Sequence, residues 1–279
     1  MSNTFYDRCK EAHELVSGYL TDSLPWGNVP PSRANYVFNP QIRAENKAKI
    51  TRSAQVLRAC LTKYNLNQLA ISYNGGKDCL VMLLIFLYAI YERSLQVEQL
   101  DPTTLPANDQ FFTKKYLQTH RMDSIYINSE DPFEEVSQFI STSTKHYNLN
   151  PISIKSSLKD GFEQYLNGHP DIKAIIVGIR HSDPYGSSLS YEQETDHQWP
   201  KFIRVHPILH WNYVDIWDFI IGCNLDYCVL YDRGYTSLGG VKTTVPNPVL
   251  VHGGESAPAY AMTEDADDRE RLGRNKAPQ

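Results

Sequence analysis

Short apolar segments alternate with helical segments between about residues 67 and 222, and this alternation constrains the fold more than any other feature. Five segments read as strands: QLAISY, DSIYIN, NPISIK, KAIIVGI and KFIRVHPI. KAIIVGI is continuously apolar, which is typical of a strand buried on both faces of a parallel sheet. The pattern predicts an α/β fold, a doubly wound and mainly parallel sheet with helices on both faces. Ligands bind beyond the carboxyl ends of such strands, so candidate functional residues are those that follow a strand.

The sequence predicts three regions. Residues 1–66 are expected to form a helical N-terminal segment packed on the core, with a break at the proline-rich stretch PWGNVPPSRANYVFNP, because proline does not fit inside a helix. Residues 67–241 are expected to form the α/β core, and residues 242–279 a C-terminal extension.

Helix signals within the core are clear at two places. An apolar helix is expected from about Cys79 to Glu92, followed by a polar connection over residues 94–120. A second helix is expected after DSIYIN, with Asp131 as its cap and Pro132 in its first position.

Composition limits the class of partner and the compartment. The net charge of −5 disfavours a nucleic acid, because a polyanion needs a positive surface. Five scattered cysteines without a Cys-x-x-Cys pair favour free thiols in a reducing compartment. The N-terminus has no apolar signal core, and the run CLVMLLIFLYAIY is shorter than the roughly 20 residues that span a bilayer. We therefore expect a cytoplasmic protein without a membrane or an obligate protein partner.

The stretch ISYNGGKDC reads as a strand that passes through a glycine turn into a helix. It is not a Walker loop, because Ile71 stands where that loop needs glycine and Asp78 where it needs Ser or Thr. Its glycines allow positive φ, the amides at a helix start attract an anion, and Lys77 adds a charge. The pattern favours an anion site; a tight turn capped by Asp78 is the alternative.

Three further stretches carry candidate residues. IIVGIRHSDPYGSSL brings Arg180, His181 and Asp183 to the sheet edge; an arginine there suits a phosphate, and the aspartate could bind magnesium, accept a ring N–H or cap the turn. LYDRGYTSLGG is a second glycine-rich loop. DDRERLGRNK places Arg271 and Arg274 three residues apart, on one face of a helix, where they could hold a phosphate. A solvated charged helix end is the alternative for that stretch.

Taken in order, SYNGGKDC, IIVGIRHSDPYG, RVHPILHWNYVDIWDFI, LYDRGYTSLGG, PNP and ERLGR resemble the eukaryotic FMN adenylyltransferases, or FAD synthetases, of the yeast monofunctional kind. The resemblance covers about residues 45–275. That family belongs to an ATP pyrophosphatase superfamily together with the sulfonucleotide reductases. Those reductases rely on a C-terminal cysteine, and this chain has none after Cys228. The resemblance implies the reaction ATP + FMN → FAD + pyrophosphate with Mg²⁺, nucleotide binding by the core and substrate binding by the C-terminal extension.

The resemblance also implies the site residues. ATP and pyrophosphate would contact Ser72, Tyr73, Asn74, Gly75, Gly76, Lys77, Asp78, Ile127, Asn128, Tyr235, Thr236, Ser237, Leu238 and Gly239. FMN would contact Arg180, His181, Asp183, Tyr185, Trp199, Arg271 and Arg274. The catalytic residues would be Asn74, Asp78, Asp183 and Arg274. Metal ligands are not assigned, and His181, His206 and His210 do not show a metal spacing.

Some interpretations stay open at this point. Tyr185 and Trp199 could stack on the flavin or merely anchor their loop. Cys79 could be a thiol activated by the helix start, but the reaction needs no covalent step, so it is interpreted as filling a serine position. Another adenylyl-transferring enzyme with a different acceptor, and a non-catalytic flavin or nucleotide sensor, are the competing functions.

Overall fold

A six-stranded sheet forms the centre of the molecule in the computed structural model, which describes residues 4–196 and 198–275. The strands are β1 Leu69–Ser72, β2 Asp123–Ile127, β3 Asn150–Ile154, β4 Ala174–Val177, β5 Glu192–Glu194 and β6 Ile203–Val205. They lie in the order β3-β2-β1-β4-β6-β5. Neighbouring strands are parallel except β5 and β6, which pair antiparallel. The predicted α/β class with a mainly parallel sheet is confirmed.

Helices and short turns connect the strands. The α-helices in the described ranges are α1 Phe5–Leu20, α2 Pro40–Lys63, α3 Lys77–Val97, α4 Lys114–Thr119, α5 Glu134–His146, α6 Leu158–Gly168, α7 Tyr213–Gly222 and α8 Ala266–Arg269. Short 3₁₀ turns cover Pro31–Arg33, Leu66–Gln68, Asp109–Phe112, Val229–Arg233, Pro248–Leu250 and Ala259–Ala261. A small hairpin of β7 Val251–His252 and β8 Glu255–Ser256 lies in the C-terminal part.

Alternate residues of the central strands face two separate apolar clusters. In β1, Ile71 packs in the larger cluster, which includes residues of α1, α2, α3 and α7. Ala70 faces the smaller cluster, where Phe162 and Tyr165 of α6 cover the sheet. Because side chains alternate between the two faces of a strand, helices cover both faces of the sheet.

The apolar core helix is longer than the predicted Cys79–Glu92. α3 runs over 21 residues, Lys77–Val97, and by length and composition alone it is long and apolar enough to cross a membrane, which is weak support for a span. Most of it is buried inside the protein. Its position is that of a core helix, which agrees with its interpretation as a buried helix.

The predicted start of the second helix is wrong. α5 begins at Glu134. Asp131 instead accepts a hydrogen bond from Lys155 Nζ at 2.9 Å, and Pro132 forms an isolated bridge with Gly240. Contacts with distant segments therefore outweigh the local capping signal.

The region between α3 and β2 also differs from the prediction. Residues 94–120 are more than a polar connection, because they contain the end of α3, a 3₁₀ turn and α4. Phe112 and Leu117 are fully buried there. The edge strand β5 was not predicted, because its three residues are polar.

The N-terminal helices pack on the core through α3 and α7. A buried carboxylate of α7, Asp218, joins them: it accepts from Arg43 Nε at 2.8 Å and from the hydroxyl groups of Tyr19 and Tyr36. The division into residues 1–66, 67–241 and 242–279 stays a prediction.

Candidate active site

The turn between β1 and α3 forms one wall of a cavity. Gly75 has a φ of +72°, and Asn74 Oδ1 accepts from the Gly76 N–H at 2.9 Å. α3 begins at Lys77 without a side-chain cap, and its first N–H donates to the Tyr231 hydroxyl at 2.9 Å. The start of a helix is positive in potential, so the turn is suited to an anion.

The cavity lies beyond the carboxyl ends of β1 and β4 and has a volume of about 530 Å³. Its polar part contains the turn, Arg271 and Arg274. Its apolar part is lined by Leu158, Phe162, Val177, Leu189, Trp199 and Phe202. A second cavity of about 350 Å³ shares Asn74, Leu158, Leu238 and Arg274 with the first. The two cavities therefore adjoin along residues of both the polar and the apolar part.

A buried ion cluster lies under the polar part. It consists of Lys77, Asp78, Arg180, Asp183, Asp267 and Glu270. The Arg180 guanidinium is fully buried and lies 2.8 Å from Asp78 Oδ1 and 2.9 Å from Asp267 Oδ1. Lys77 Nζ lies 2.9 Å from Asp78 Oδ2. Glu270 contacts both cations, one with each oxygen.

Four carboxylates of the ion cluster face two cations, so negative charge is in excess. Burial alone would raise the pKa of Asp78, but Arg180 and Lys77 hold it below its usual range. Burial raises the pKa of Asp183, and the neighbouring Asp78 charge raises it further. An additional positive charge near these carboxylates would therefore be stabilised by them.

Comparisons with known proteins identify the family. The profile of the phosphoadenosine phosphosulfate reductase domain matches residues 68–165 and 160–246. A probable FAD synthase of Schizosaccharomyces pombe is 37% identical over 96% of this chain and 89% of that protein. The chain belongs to the FAD synthase family. A flavin adenine dinucleotide synthase of Saccharomyces cerevisiae is 32% identical over 77% of this chain and 73% of that protein. The crystal structure of Candida glabrata FMN adenylyltransferase with FAD and inorganic pyrophosphate has a TM-score of 0.80 at 26% identity, covering 99% of this chain and 98% of that one.

Most of the residues that the resemblance to FAD synthases assigned lie along the two cavities. The larger cavity is lined by Ser72, Asn74, Gly76, Lys77, Asp78, Asp183, Trp199, Ser237, Leu238, Arg271 and Arg274, and the smaller also by Ile127, Asn128 and Gly239. These residues come from six separate segments of the chain, and the fold brings them together. Their individual roles stay predictions.

The interpretation of Arg180 as a direct phosphate or flavin contact needs correction. Its side chain is fully buried and its guanidinium is enclosed by Asp78, Asp183, Asp267 and Glu270. Each guanidinium nitrogen has a carboxylate oxygen within 3.3 Å, so the Arg180 charge is compensated inside the protein. Arg180 is therefore a positioning residue: it connects Asp78, at the start of α3, to Glu270 in the C-terminal part of the chain.

Three other residues assigned to ATP are not among the residues that line the two cavities. The Tyr73 side chain is fully buried and its hydroxyl bonds to Ser143 at 3.0 Å. Tyr235 packs its ring edge against Phe133. The Thr236 hydroxyl donates to the Glu270 carbonyl at 2.6 Å. The buried side chains of Tyr73 and Thr236 hold the walls of the site in place, which corrects their assignment as ligand contacts. The assignment of Tyr235 stays a prediction.

Two residues assigned to FMN also lie elsewhere. Tyr185 is 93% exposed with a φ of +66°, so it is a turn residue and not a flavin stacker. His181 Nδ1 lies 3.2 Å from the Gly186 carbonyl, and this imidazole belongs to the same turn. Trp199 does line the apolar part, beside Phe162.

The two C-terminal arginines reach the cavity from a turn and not from a helix, because α8 ends at Arg269. Arg274 Nη1 donates to the Leu238 carbonyl at 2.7 Å. A Cβ on Gly239 would lie 2.3 Å from the Arg274 guanidinium, so only glycine allows this approach. Burial and the charge of Arg271 lower the pKa of Arg274.

Several important residues were missed from the sequence. Glu270 and Asp267 lie in the same DDRERLGR stretch as the arginines, and only the fold shows that they pair with residues far away. A Cβ on Gly178 would lie 3.1 Å from the Cys79 backbone, so this glycine permits β4 to approach α3. The glycine that directly follows the apolar strand AIIV was the sequence signal that could have indicated this close approach.

The Cys79 thiol is not an activated nucleophile. Burial raises its pKa to about 12, so the helix start does not produce a thiolate near neutral pH. This agrees with its interpretation as the residue that fills a serine position.

Replacing Gly75 by alanine is expected to distort the turn. Its φ of +72° disfavours any side chain, and a Cβ would lie 2.8 Å from Ile140 Cγ1. We expect a loss of about 1–3 kcal/mol in unfolding free energy together with a raised KM for ATP, measured by denaturant unfolding and steady-state kinetics. Gly168→Ala is the control, since its Cβ would meet nothing within 4 Å. Equal behaviour of the two variants would contradict the strained turn.

Proposed function

We infer that the chain is an FMN adenylyltransferase, which transfers the adenylyl group of ATP to FMN and gives FAD and pyrophosphate. The observation that carries this conclusion is the 37% identity to a probable FAD synthase along 96% of the chain. The geometry fits the reaction, because an anion turn, an adjoining apolar cavity and two arginines meet at one edge of the sheet.

The reaction needs alignment and charge neutralisation more than a strong base. The FMN phosphate attacks the α-phosphorus of ATP, the bond to the β-phosphate oxygen breaks, and pyrophosphate leaves in line. A phosphate monoester has a second pKa of about 6, so the nucleophile is already an anion near neutral pH. Catalysis therefore rests on holding mutually repelling phosphates together.

The turn at the start of α3 is proposed to hold the leaving pyrophosphate. It lines the cavity with Asn74, Gly76, Lys77 and Asp78, and the Asn74 side chain is proposed to contact the reacting phosphates. Ile127 and Asn128 in the adjoining cavity are proposed to contact the adenine. The apolar part, with Trp199 and Phe162, is proposed to receive the flavin ring.

A net positive charge for the phosphates has to come from outside the ion cluster, because the carboxylates of that cluster outnumber its two cations, Lys77 and Arg180. Arg271 and Arg274 line the polar part of the cavity and are the proposed source. They are proposed to hold the FMN phosphate against the ATP.

Magnesium is proposed to accompany ATP. No group of three or more His, Cys, Asp or Glu side chains in the described ranges is arranged as a metal site, but Mg²⁺ in nucleotide sites often takes only one or two carboxylates together with substrate phosphates. Asp78 and Asp183 fit this role, because both line the cavity. Burial and, after it, the nearby Asp78 charge raise the pKa of Asp183, and a dication would relieve that repulsion. When bound, the ion would neutralise phosphate charge.

Arg274→Ala is expected to raise the KM for FMN by about tenfold or more while changing the KM for ATP less, because a charge-assisted contact to a phosphate is lost. Initial rates with each substrate varied in turn measure the two constants. Arg269→Ala is the matched control, because Arg269 pairs with Asp265 at the surface. An unchanged KM and turnover for FMN in the Arg274 variant would remove this residue from the site.

The function is tested by incubating the protein with ATP, FMN and Mg²⁺, followed by chromatography for FAD and an assay for pyrophosphate. Equal amounts of both products are expected. ATP consumption without FAD would indicate another acceptor, and binding without turnover would indicate a sensor.

We also propose a reducing, cytoplasmic location. All five cysteines lie in the described ranges and are free and buried, which supports a compartment without disulfide formation.

A further inference from the structure

Arg204 lines the cavity beside its apolar part. It lies in β6, opposite Ile175 of β4, whose side chain belongs to the smaller apolar cluster. Arg204 is half-buried, its Nε is buried without a hydrogen-bond partner, and no ion pair links it to another residue of the described chain. It is therefore a half-buried cation beside apolar side chains, and it pairs with no carboxylate among the described residues.

The nearest strand offers no carboxylate to Arg204. Its cross-strand partner in β5 is Gln193, whose Oε1 already accepts from the Ser190 N–H. Glu192 and Glu194 flank this glutamine and point to the opposite face, because side chains alternate along a strand. Both are already paired, with Lys63 at 2.7 Å and Lys201 at 3.1 Å respectively.

The buried cations of the ion cluster differ from Arg204 in their ion pairs. Carboxylates of that cluster pair with Lys77 and Arg180, although Arg180 Nε, like Arg204 Nε, makes no hydrogen bond of good geometry. A partly buried charge that lacks such partners is unfavourable unless a ligand supplies them. Arg204 therefore points to a ligand group that is rich in acceptors and lies between apolar walls.

We propose that Arg204 binds the carbonyl edge of the flavin ring and thereby makes the site prefer flavin that carries negative charge there. This inference rests on the proposed function. The phosphates of both substrates are assigned to the polar part, so the flat ring is what remains for the apolar part, beside Phe162, Trp199 and Phe202. The ring carries two carbonyl oxygens on its pyrimidine edge, and a planar guanidinium fork is suited to such an edge.

Reduced flavin gives the proposal a specific consequence. Two-electron reduction followed by loss of the N1 proton places negative charge on the N1–C2=O edge. A guanidinium at that edge stabilises this anion more than the neutral oxidised ring, since hydrogen bonds between ionised partners are stronger. The wild-type protein should therefore bind reduced FMN more tightly than oxidised FMN.

The test measures the affinity of the protein for oxidised FMN and for dithionite-reduced FMN at pH 8, the latter without oxygen. The proteins compared are the wild type, Arg204→Met, Arg204→Lys and Lys201→Met. Lys201→Met is the charge-matched control, because Lys201 is 85% exposed and pairs with Glu194 at the surface. We expect the wild type and this control to bind reduced FMN about tenfold more tightly or better. Arg204→Met should lose that preference and bind oxidised FMN about tenfold or more weakly, with an unchanged KM for ATP; Arg204→Lys should be intermediate.

Equal affinity of the wild type for the two redox states would overturn the proposal, and this measurement does not depend on whether a variant folds. An Arg204→Met variant that keeps the wild-type preference would overturn it too, while FAD formation by the wild type would leave the proposed function standing. Failure of the wild type to bind FMN in either state would instead reject the proposed function and this inference together.

Discussion

Replacing Lys77 by methionine is expected to lower kcat for FAD formation by about 10²- to 10³-fold, the range typical for loss of one preorganised charge or donor at a reacting centre. Lys77 is the first residue of α3 and is almost fully buried, with its ammonium held by Asp78 and Glu270. Without the Lys77 ammonium, Arg180 is the one remaining cation among the four carboxylates of the ion cluster. The negative charge that develops on the leaving pyrophosphate would then be repelled more strongly by these carboxylates.

The measurement is the initial rate of pyrophosphate release at saturating ATP and FMN. Lys77→Arg is expected to rescue little, because a planar fork does not fit a slot shaped for a compact ammonium. Lys10→Met is the control for loss of a lysine, since Lys10 forms an exposed pair with Glu14 on α1. Turnover above a tenth of the wild-type rate in Lys77→Met would show that the ammonium acts only in packing.

The sheet was predictable because its signals are local. A continuously apolar strand such as Ala174–Val177 and the repeated passage from strand to helix depend on neighbouring residues alone. The missed strand Glu192–Glu194 has a polar sequence and exists because it pairs with Ile203–Val205. The start of α5 was misplaced for the same kind of reason, since Asp131 binds Lys155 of a distant segment instead of capping a helix.

The site shows the same division between local and distant information. The loop around Gly75 was predictable because glycine at positive φ and a helix start are encoded in consecutive residues. Whether a cationic side chain contacts the ligand or a carboxylate of the protein depends on distant partners. Arg180 and Glu270, for example, are 90 positions apart in the sequence. The sequence therefore predicts which loops form the site better than it predicts which side chain contacts the substrate.

Asp218→Ala is expected to cause a large loss of stability, about 3–5 kcal/mol, because it removes one partner of a buried ion pair. Asp218 is fully buried, and Arg43 Nε lies 2.8 Å from it. Asn46 and the hydroxyl groups of Tyr19 and Tyr36 also donate to this carboxylate. The substitution leaves Arg43 buried without a countercharge at the junction between the N-terminal helices and α7.

Denaturant unfolding of the wild type, Asp218→Ala and the double variant Arg43→Met/Asp218→Leu separates the two causes of this loss. If the uncompensated Arg43 charge dominates, the double variant recovers most of the stability, because apolar replacement of both partners removes the buried charge. Asp22→Ala is the control, since Asp22 pairs with Lys47 at the surface and is 54% exposed. Because Asp218 does not line the catalytic cavity, turnover well below the melting temperature should persist in all three variants. A stability change under about 1 kcal/mol in Asp218→Ala would mean that water reaches Arg43 and that this pair does not hold the N-terminal helices on the core.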